Sequence, residues 1–298
     1  MKIANAPCSW GILEFGLDGK TSTYKRMLDE MSAAGYEGTE LGDRGYLPTN
    51  PDRLEKELKS RELNLVGAFI PVNFLDPEDH PKGRDNALKT AKLLAQTDPD
   101  NARIVLSDDN GKNADRTNNA GRILPRHGLT DEQWKTFTYG VEKVAGTVLK
   151  ETGVKSVFHH HCAGYVETPE EIDIFLDRTD PDLVNLCFDT GHYAFGGGAP
   201  EIGLQKHADR ISHVHFKGWD PDVHRQSKDE QWDYFESVKN GIFCELGQGT
   251  IDFKAIHKEL NRQNYSGWII VEQDVLPGMG TPKDSAKRNR KFLRSIGL

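Results

Sequence analysis

Eight short apolar runs, most of them rich in β-branched residues, recur along the chain, each separated from the next by a longer stretch that often reads amphipathic. The runs are KIANAP (2–7), YEGTEL (36–41), NLVGAFI (64–70), ARIVLS (102–107), KSVFHHH (155–161), VNLCFDT (184–190), ISHVHFK (211–217) and WIIVEQ (268–273). Short runs of this kind read as strands, and the longer stretches with a three-to-four-residue apolar period read as helices. STYKRMLDEMSAAG, NPDRLEKELKSREL, DEQWKTFTYGVEKVAGTVLKETG, TPEEIDIFLDRT and DFKAIHKELNRQN are the clearest helices. Asn50–Pro51 opens one of them as an N-cap followed by proline at the first helical position. Eight strands alternating with helices is the count of a (β/α)8 barrel, and 298 residues suit one such domain. A doubly wound open sheet would need a phosphate-binding turn after its first strand. PCSWGILEFG contains neither GxGxxG nor GxxxxGK[ST]. The sequence predicts an α/β fold, a TIM barrel, as a single domain over 1–298.

Two segments break the alternation. The stretch from Ser107 to Thr130 is far longer than an ordinary connection and reads as a lid. The stretch 218–250 reads as an insertion after the seventh strand. In a barrel both emerge on the C-terminal face, where active sites are built.

Polar residues gather at the ends of the later strands. The fifth ends in His159, His160 and His161, the sixth in Asp189, the seventh in His213, His215 and Lys217, and the eighth in Glu272 and Asp274. The pleat puts His159 and His161 on one face and His160 on the other. His160 is therefore expected to be structural. A lone histidine or aspartate at a strand end is most often a cap or a solvated group. Imidazoles and carboxylates from four adjacent strands instead suit a mixed nitrogen and oxygen site for a divalent metal.

The remaining candidates carry less. Trp10 either stacks on a sugar face or packs in the core or rim. Among the lid arginines Arg116, Arg122 and Arg126, Arg122 is the candidate for substrate oxygens, against the commoner reading of solvated loop charge. FGGGAP (195–200) reads as a loop, with no basic residue close behind it. The formal charge of −8 and the lack of a Lys/Arg cluster weigh against nucleic acid. No apolar run approaches a membrane span, and no signal-like segment opens the chain. Four widely spaced cysteines without a CxxC read as reduced thiols, which points to the cytoplasm. Homo-oligomerisation stays open.

FHHH, FDTGH, HVHFKG and VEQD, in this order and at these strand ends, resemble the xylose-isomerase-like barrels. GYEGTELGDRGYLPTN, DRTNNAGRILPRHGLTDEQW and GIFCELGQGTIDF are similar to the inosose dehydratase family, from the first strand to the last helix. That family dehydrates 2-keto-myo-inositol in inositol catabolism. The resemblance implies a metal held by His159, Asp189, His215 and Glu272. It places His161, His192, Lys217 and Glu40 beside a small polyol or sugar. Ketose epimerases of the superfamily carry glutamate where His159 stands, so that two metal-bound carboxylates flank the substrate. With an imidazole there, one of the two bases is missing. A β-elimination, which needs one base and one acid, becomes the better fit. Glu272 is expected as the base, and His161 or Lys217 as the acid for the departing hydroxyl. Mn2+ or Co2+ is expected, with Zn2+ also accepted. The rivals are a metal-dependent sugar isomerase or epimerase and a non-catalytic carbohydrate-binding barrel.

Overall fold

The computed structural model describes residues 1–12, 22–98, 100–276 and 278–298. Strands β1 (Lys2–Asn5), β2 (Gly38–Glu40), β3 (Asn64–Val72), β4 (Arg103–Asp108), β5 (Lys155–His159), β6 (Val184–Asp189), β7 (Ile211–Phe216) and β8 (Trp268–Val271) run parallel in chain order. β8 pairs with β1, closing the barrel. The main helices are α1 (Tyr24–Ala34), α2 (Pro51–Lys59), α3 (His80–Thr97), α4 (Ala114–Asn118), α5 (Asp131–Thr152) and α6 (Pro169–Asp177). They continue with α7 (Thr190–Phe195), α8 (Pro200–Lys206), α9 (Pro221–Asp229), α10 (Tyr234–Lys239), α11 (Phe253–Arg262) and α12 (Pro282–Ser295). The Asn50 side chain caps α2 by accepting from the Arg53 N–H at 2.9 Å.

Alternation along the strands decides what each face meets. Phe158, Phe188, Val214, Phe216, Ile269 and Val271 join the large core between barrel and helices. On the alternate positions, Ala4, Val66, Trp268 and Ile270 form one small cluster, and Val105, Val157 and Cys187 another. These belong to the barrel's interior. The positions that follow them towards the C-terminal end are His159, Asp189, His215 and Glu272. The ladder stops earlier than expected on β5, because the His161 N–H turns to the Val166 carbonyl at 3.0 Å instead of continuing the strand.

The two long connections are built, not open. Arg116 is fully buried, donating to the Gly164 carbonyl at 2.7 Å and to both Glu171 oxygens at 2.7 and 2.8 Å. Glu167 accepts from the Gly121 N–H at 2.7 Å. Arg122 donates to the Trp232 carbonyl at 3.1 Å and the Ser227 carbonyl at 3.3 Å, tying the first connection to the second. Ala120 then packs with Tyr234, Val238, Ile242 and Phe243 in a separate apolar cluster. Arg122 thus staples the two segments together: its planar donors satisfy loop carbonyls that water would otherwise have to reach. Among the described residues, no helix is long and apolar enough to cross a membrane.

Candidate active site

Asp189 ends β6 and at the same time caps α7. Its Oδ1 accepts from the His192 N–H at 2.8 Å, which leaves Oδ2 to point elsewhere. The strand register places Asp189 directly opposite His215. Thr190 locks this corner to β7: its hydroxyl donates to the Lys217 carbonyl at 2.8 Å and accepts from the Lys217 N–H at 2.9 Å. The sequence DTGH is therefore a strand-to-helix junction that also aims a carboxylate oxygen.

Around Asp189 Oδ2 the other expected ligands gather. His159 Nε2 lies 3.6 Å from it and His215 Nδ1 3.8 Å, while His215 Nδ1 lies 3.2 Å from Glu272 Oε1. Ligand atoms of the four residues all fall within 4.8 Å of one another. A cation about 2.1 Å from each donor needs donors roughly 3–4 Å apart, so the spacing fits. Asp189 Oδ2 and His215 Nδ1 are both buried and make no hydrogen bond. Buried polar atoms are rarely left so, and here the two face each other. Charge tells the same story. Burial would depress the His215 pKa, yet Cys187, Glu272 and Glu40 together hold it well above the usual range. The centre favours positive charge, and its four donors could hold a cation.

Glu40, expected beside the substrate, has a second task. Its Oε1 accepts from His213 Nε2 at 2.8 Å and from His215 Nε2 at 3.2 Å. A carboxylate only accepts, so both Nε2 atoms carry hydrogen and His215 turns Nδ1 towards the site. Burial raises the Glu40 carboxyl, but the His215 charge and the two imidazole hydrogen bonds lower it to about 2. Gly67 makes the room: a Cβ there would come within 2.8 Å of Glu40 Oε1.

Lys217 donates to Asp274 Oδ2 at 3.0 Å and pairs with Glu272 Oε2 at 3.2 Å. Burial opposes its charge, but Asp274 and Glu272 more than offset this and keep it an ammonium. Glu272 is raised by burial and lowered further by His215 and Lys217, and so ends well below the carboxylate range. A cavity opens to solvent above these residues. Its floor includes Glu40, His159, His161, Lys217, Glu272 and Asp274, and Phe69, Tyr234, Phe235 and Val238 form an apolar wall.

Three expected positions turn out differently. Trp10 is buried in the main core, its indole N–H donating to Glu30 Oε2 at 2.9 Å. The chain turns into a 3-10 helix at Pro7–Trp10 straight after β1, which carries the ring away from the mouth. His192 sits beneath the cavity lining: its ring lies 3.9 Å from that of His161 and 4.7 Å from Phe243, and Nδ1 accepts from the Cys162 N–H. His161 donates through Nδ1 to the Cys162 carbonyl, so Nε2 is an acceptor and not a source of protons. Burial and the nearby His159 lower its pKa to about 3, which keeps the ring neutral. His160 points away, as the pleat requires, and its Nε2 accepts from the Asp189 N–H at 3.1 Å. Sequence reasoning passed over Tyr234. The signal for it was slight: an Asp–Tyr pair opening a six-residue helix inside the insertion.

Residues 28–296 match the xylose isomerase-like TIM barrel family, and the chain belongs to it. The chain is 31% identical to the inosose dehydratase of Clostridium tetani over 294 residues, 99% of this chain and 96% of that protein. It is 32% identical to the inosose dehydratase of Lacticaseibacillus casei over 297 residues, 98% of this chain and 96% of that protein. Within the barrel family it is thus a member of the inosose dehydratases, and an enzyme of the hydro-lyase class. The IOLI protein, solved with a zinc atom bound, shares the fold at a TM-score of 0.72 and 15% identity, covering 99% of this chain and 98% of that one.

Proposed function

We propose that the protein is a metal-dependent dehydratase of a cyclic polyol ketone, converting 2-keto-myo-inositol (inosose) to a trihydroxycyclohexane-dione and water in inositol catabolism. The reading is carried by two buried atoms that make no hydrogen bond, Asp189 Oδ2 and His215 Nδ1, 3.8 Å apart and grouped with His159 and Glu272, which line the cavity. The name of the inosose dehydratases that this chain matches along nearly its whole length supports the substrate. The zinc atom of IOLI, which shares the fold, supports a bound metal. His159, Asp189, His215 and Glu272 would hold the ion, and Mn2+ or Co2+ suits the set, with Zn2+ also accepted. The free cysteines, Cys8, Cys162, Cys187 and Cys244, support a reducing cytoplasm as the setting.

A bound divalent cation supplies Lewis acidity to the ketone oxygen and so acidifies the neighbouring C–H. Glu272, with Oε1 turned to His215 and Oε2 to the cavity side beside Lys217, takes that proton. Its low basicity confines it to a C–H that lies next to a ketone. Lys217, fixed as an ammonium by Asp274, stabilises the negative charge that builds on substrate oxygen. The apolar wall excludes water from the reacting carbon. His159, an imidazole where an epimerase has a second carboxylate, returns no proton to the opposite face, so elimination follows.

Incubation of the metal-loaded enzyme with 2-keto-myo-inositol in D2O, followed by NMR, tests the reading. The expected product is the dione with no epimer. A deuterated epimer of the starting ketone would place the protein among the epimerases. Tight binding without turnover under any metal would make it a binding barrel.

A further inference from the structure

We infer that Tyr234 and His161 clamp one hydroxyl of the substrate, and that Tyr234 gives the proton with which this hydroxyl leaves as water. The inference rests on the dehydratase reading above. Tyr234 comes from α10 in the insertion after β7, and His161 from the end of β5; both line the cavity above the carboxylates. His161 Nδ1 is held by the Cys162 carbonyl, which sets Nε2 as an acceptor. The Tyr234 hydroxyl lies 3.4 Å from that Nε2, longer than the roughly 2.8 Å of a close hydrogen bond from a hydroxyl.

A hydroxyl group has one hydrogen to give and lone pairs to fill. The pair offers one partner for each: the His161 nitrogen accepts the hydroxyl's hydrogen, and the Tyr234 O–H donates to its oxygen. Both arms are rigid before substrate arrives. The His161 ring packs at 3.9 Å, tilted, against His192, which is backed by Phe243 at 4.7 Å. Tyr234 opens α10 directly behind the capping Asp233 and packs with Ala120, Ala163 and Ile242. Of the other proton carriers here, Lys217 is paired with two carboxylates, Glu272 and Asp274.

The step balances. The base takes the α-hydrogen as a proton and leaves its electron pair to form the carbon–carbon double bond. The β C–O bond breaks with its own pair, and the departing oxygen takes the Tyr234 proton and leaves as water. The phenolate recovers a proton by way of solvent once the product has gone, and the base releases the one it took. No oxidant or reductant is needed.

Tyr234→Phe keeps the ring and removes only the hydroxyl. In D2O, with metal-loaded protein and 2-keto-myo-inositol, one NMR series reads two rates: exchange of the hydrogen beside the ketone and formation of the dione. Dione formation should fall about 10²–10³-fold. Exchange, metal content and thermal midpoint should stay near those of the parent. Dione formation within a few-fold of the parent overturns the inference. So does loss of exchange together with dehydration at saturating substrate, since Tyr234 would then serve the base. A parent enzyme that forms no dione fails the dehydratase reading itself, and that arm is read separately.

Discussion

Asp189 and His215 stand opposite each other across the β6–β7 pairing, with Asp189 Oδ2 and His215 Nδ1 3.8 Å apart and neither hydrogen-bonded. Asp189 Oδ1 is already spent on capping α7. Asp189→Asn keeps that cap, because the amide oxygen can take the place of Oδ1, and turns the other oxygen into an NH2 that cannot ligate. We expect stoichiometric Mn2+ or Co2+ binding to be lost while the melting temperature of the metal-free protein hardly moves. Undiminished metal content in this variant would remove Asp189 from the site.

Glu40 reaches the proposed ligand His215 through its far nitrogen. Glu40→Gln keeps an acceptor at that place and removes the charge that orients and enriches the imidazole. Metal affinity should drop about 10–100-fold in competition with a chelator. If affinity is unchanged, the Glu40–His215 contact only packs the barrel.

The three adjacent histidines should separate by role. His159→Ala should lose the metal, since it removes one of the proposed protein ligands. His161→Ala should keep the metal and lose about 10²–10⁴-fold in rate. His160→Ala leaves the buried Asp189 N–H without its acceptor and should cost about 1–3 kcal/mol in chemical denaturation. Equal effects at all three positions would contradict the pleat on which the assignment stands.

Glu167 is buried beneath the connection after β4, accepting from the Gly121 and Ala163 N–H groups at 2.7 and 2.9 Å. Burial, opposed by Arg116 and by those two N–H groups, raises its pKa from 4.5 to about 7. Between these values the folded chain holds a proton that the unfolded chain has released. Stability from this group is therefore full below about pH 4.5 and is lost as the pH rises through about 7, on the order of 3 kcal/mol in all. Urea unfolding of the parent and of Glu167→Gln across that range should show a difference that shrinks or reverses as pH rises. A pH-independent difference would mean that Glu167 stays ionised in the folded protein.

Much of this was legible in the sequence because one period governs it. The alternation of runs gave the barrel, and the pleat gave the facing of His159, His160 and His161 without any knowledge of what surrounds them. The same rule set His215 on one face with His213 and Lys217, and Glu272 with Asp274, while the family resemblance singled out His215 and Glu272 as ligands. Trp10, Arg122 and His192 did not, because their positions depend on partners distant in sequence. Trp10 is drawn to Glu30 of α1, Arg122 to carbonyls about a hundred residues on, and His192 to the gap between His161 and Phe243. Tyr234 was hidden for a similar reason. Nothing near it in the chain says that α10 folds back over the cavity.

We propose that a divalent ion on His159, Asp189, His215 and Glu272 makes this barrel a dehydratase. The most direct measurement is dione formation from 2-keto-myo-inositol by chelator-stripped protein, followed as Mn2+ or Co2+ is added back. No turnover is expected at the start, then a rate that rises to saturation at one equivalent of metal per chain, with Asp189→Asn silent throughout. Full activity in the stripped protein, verified free of metal, would contradict it.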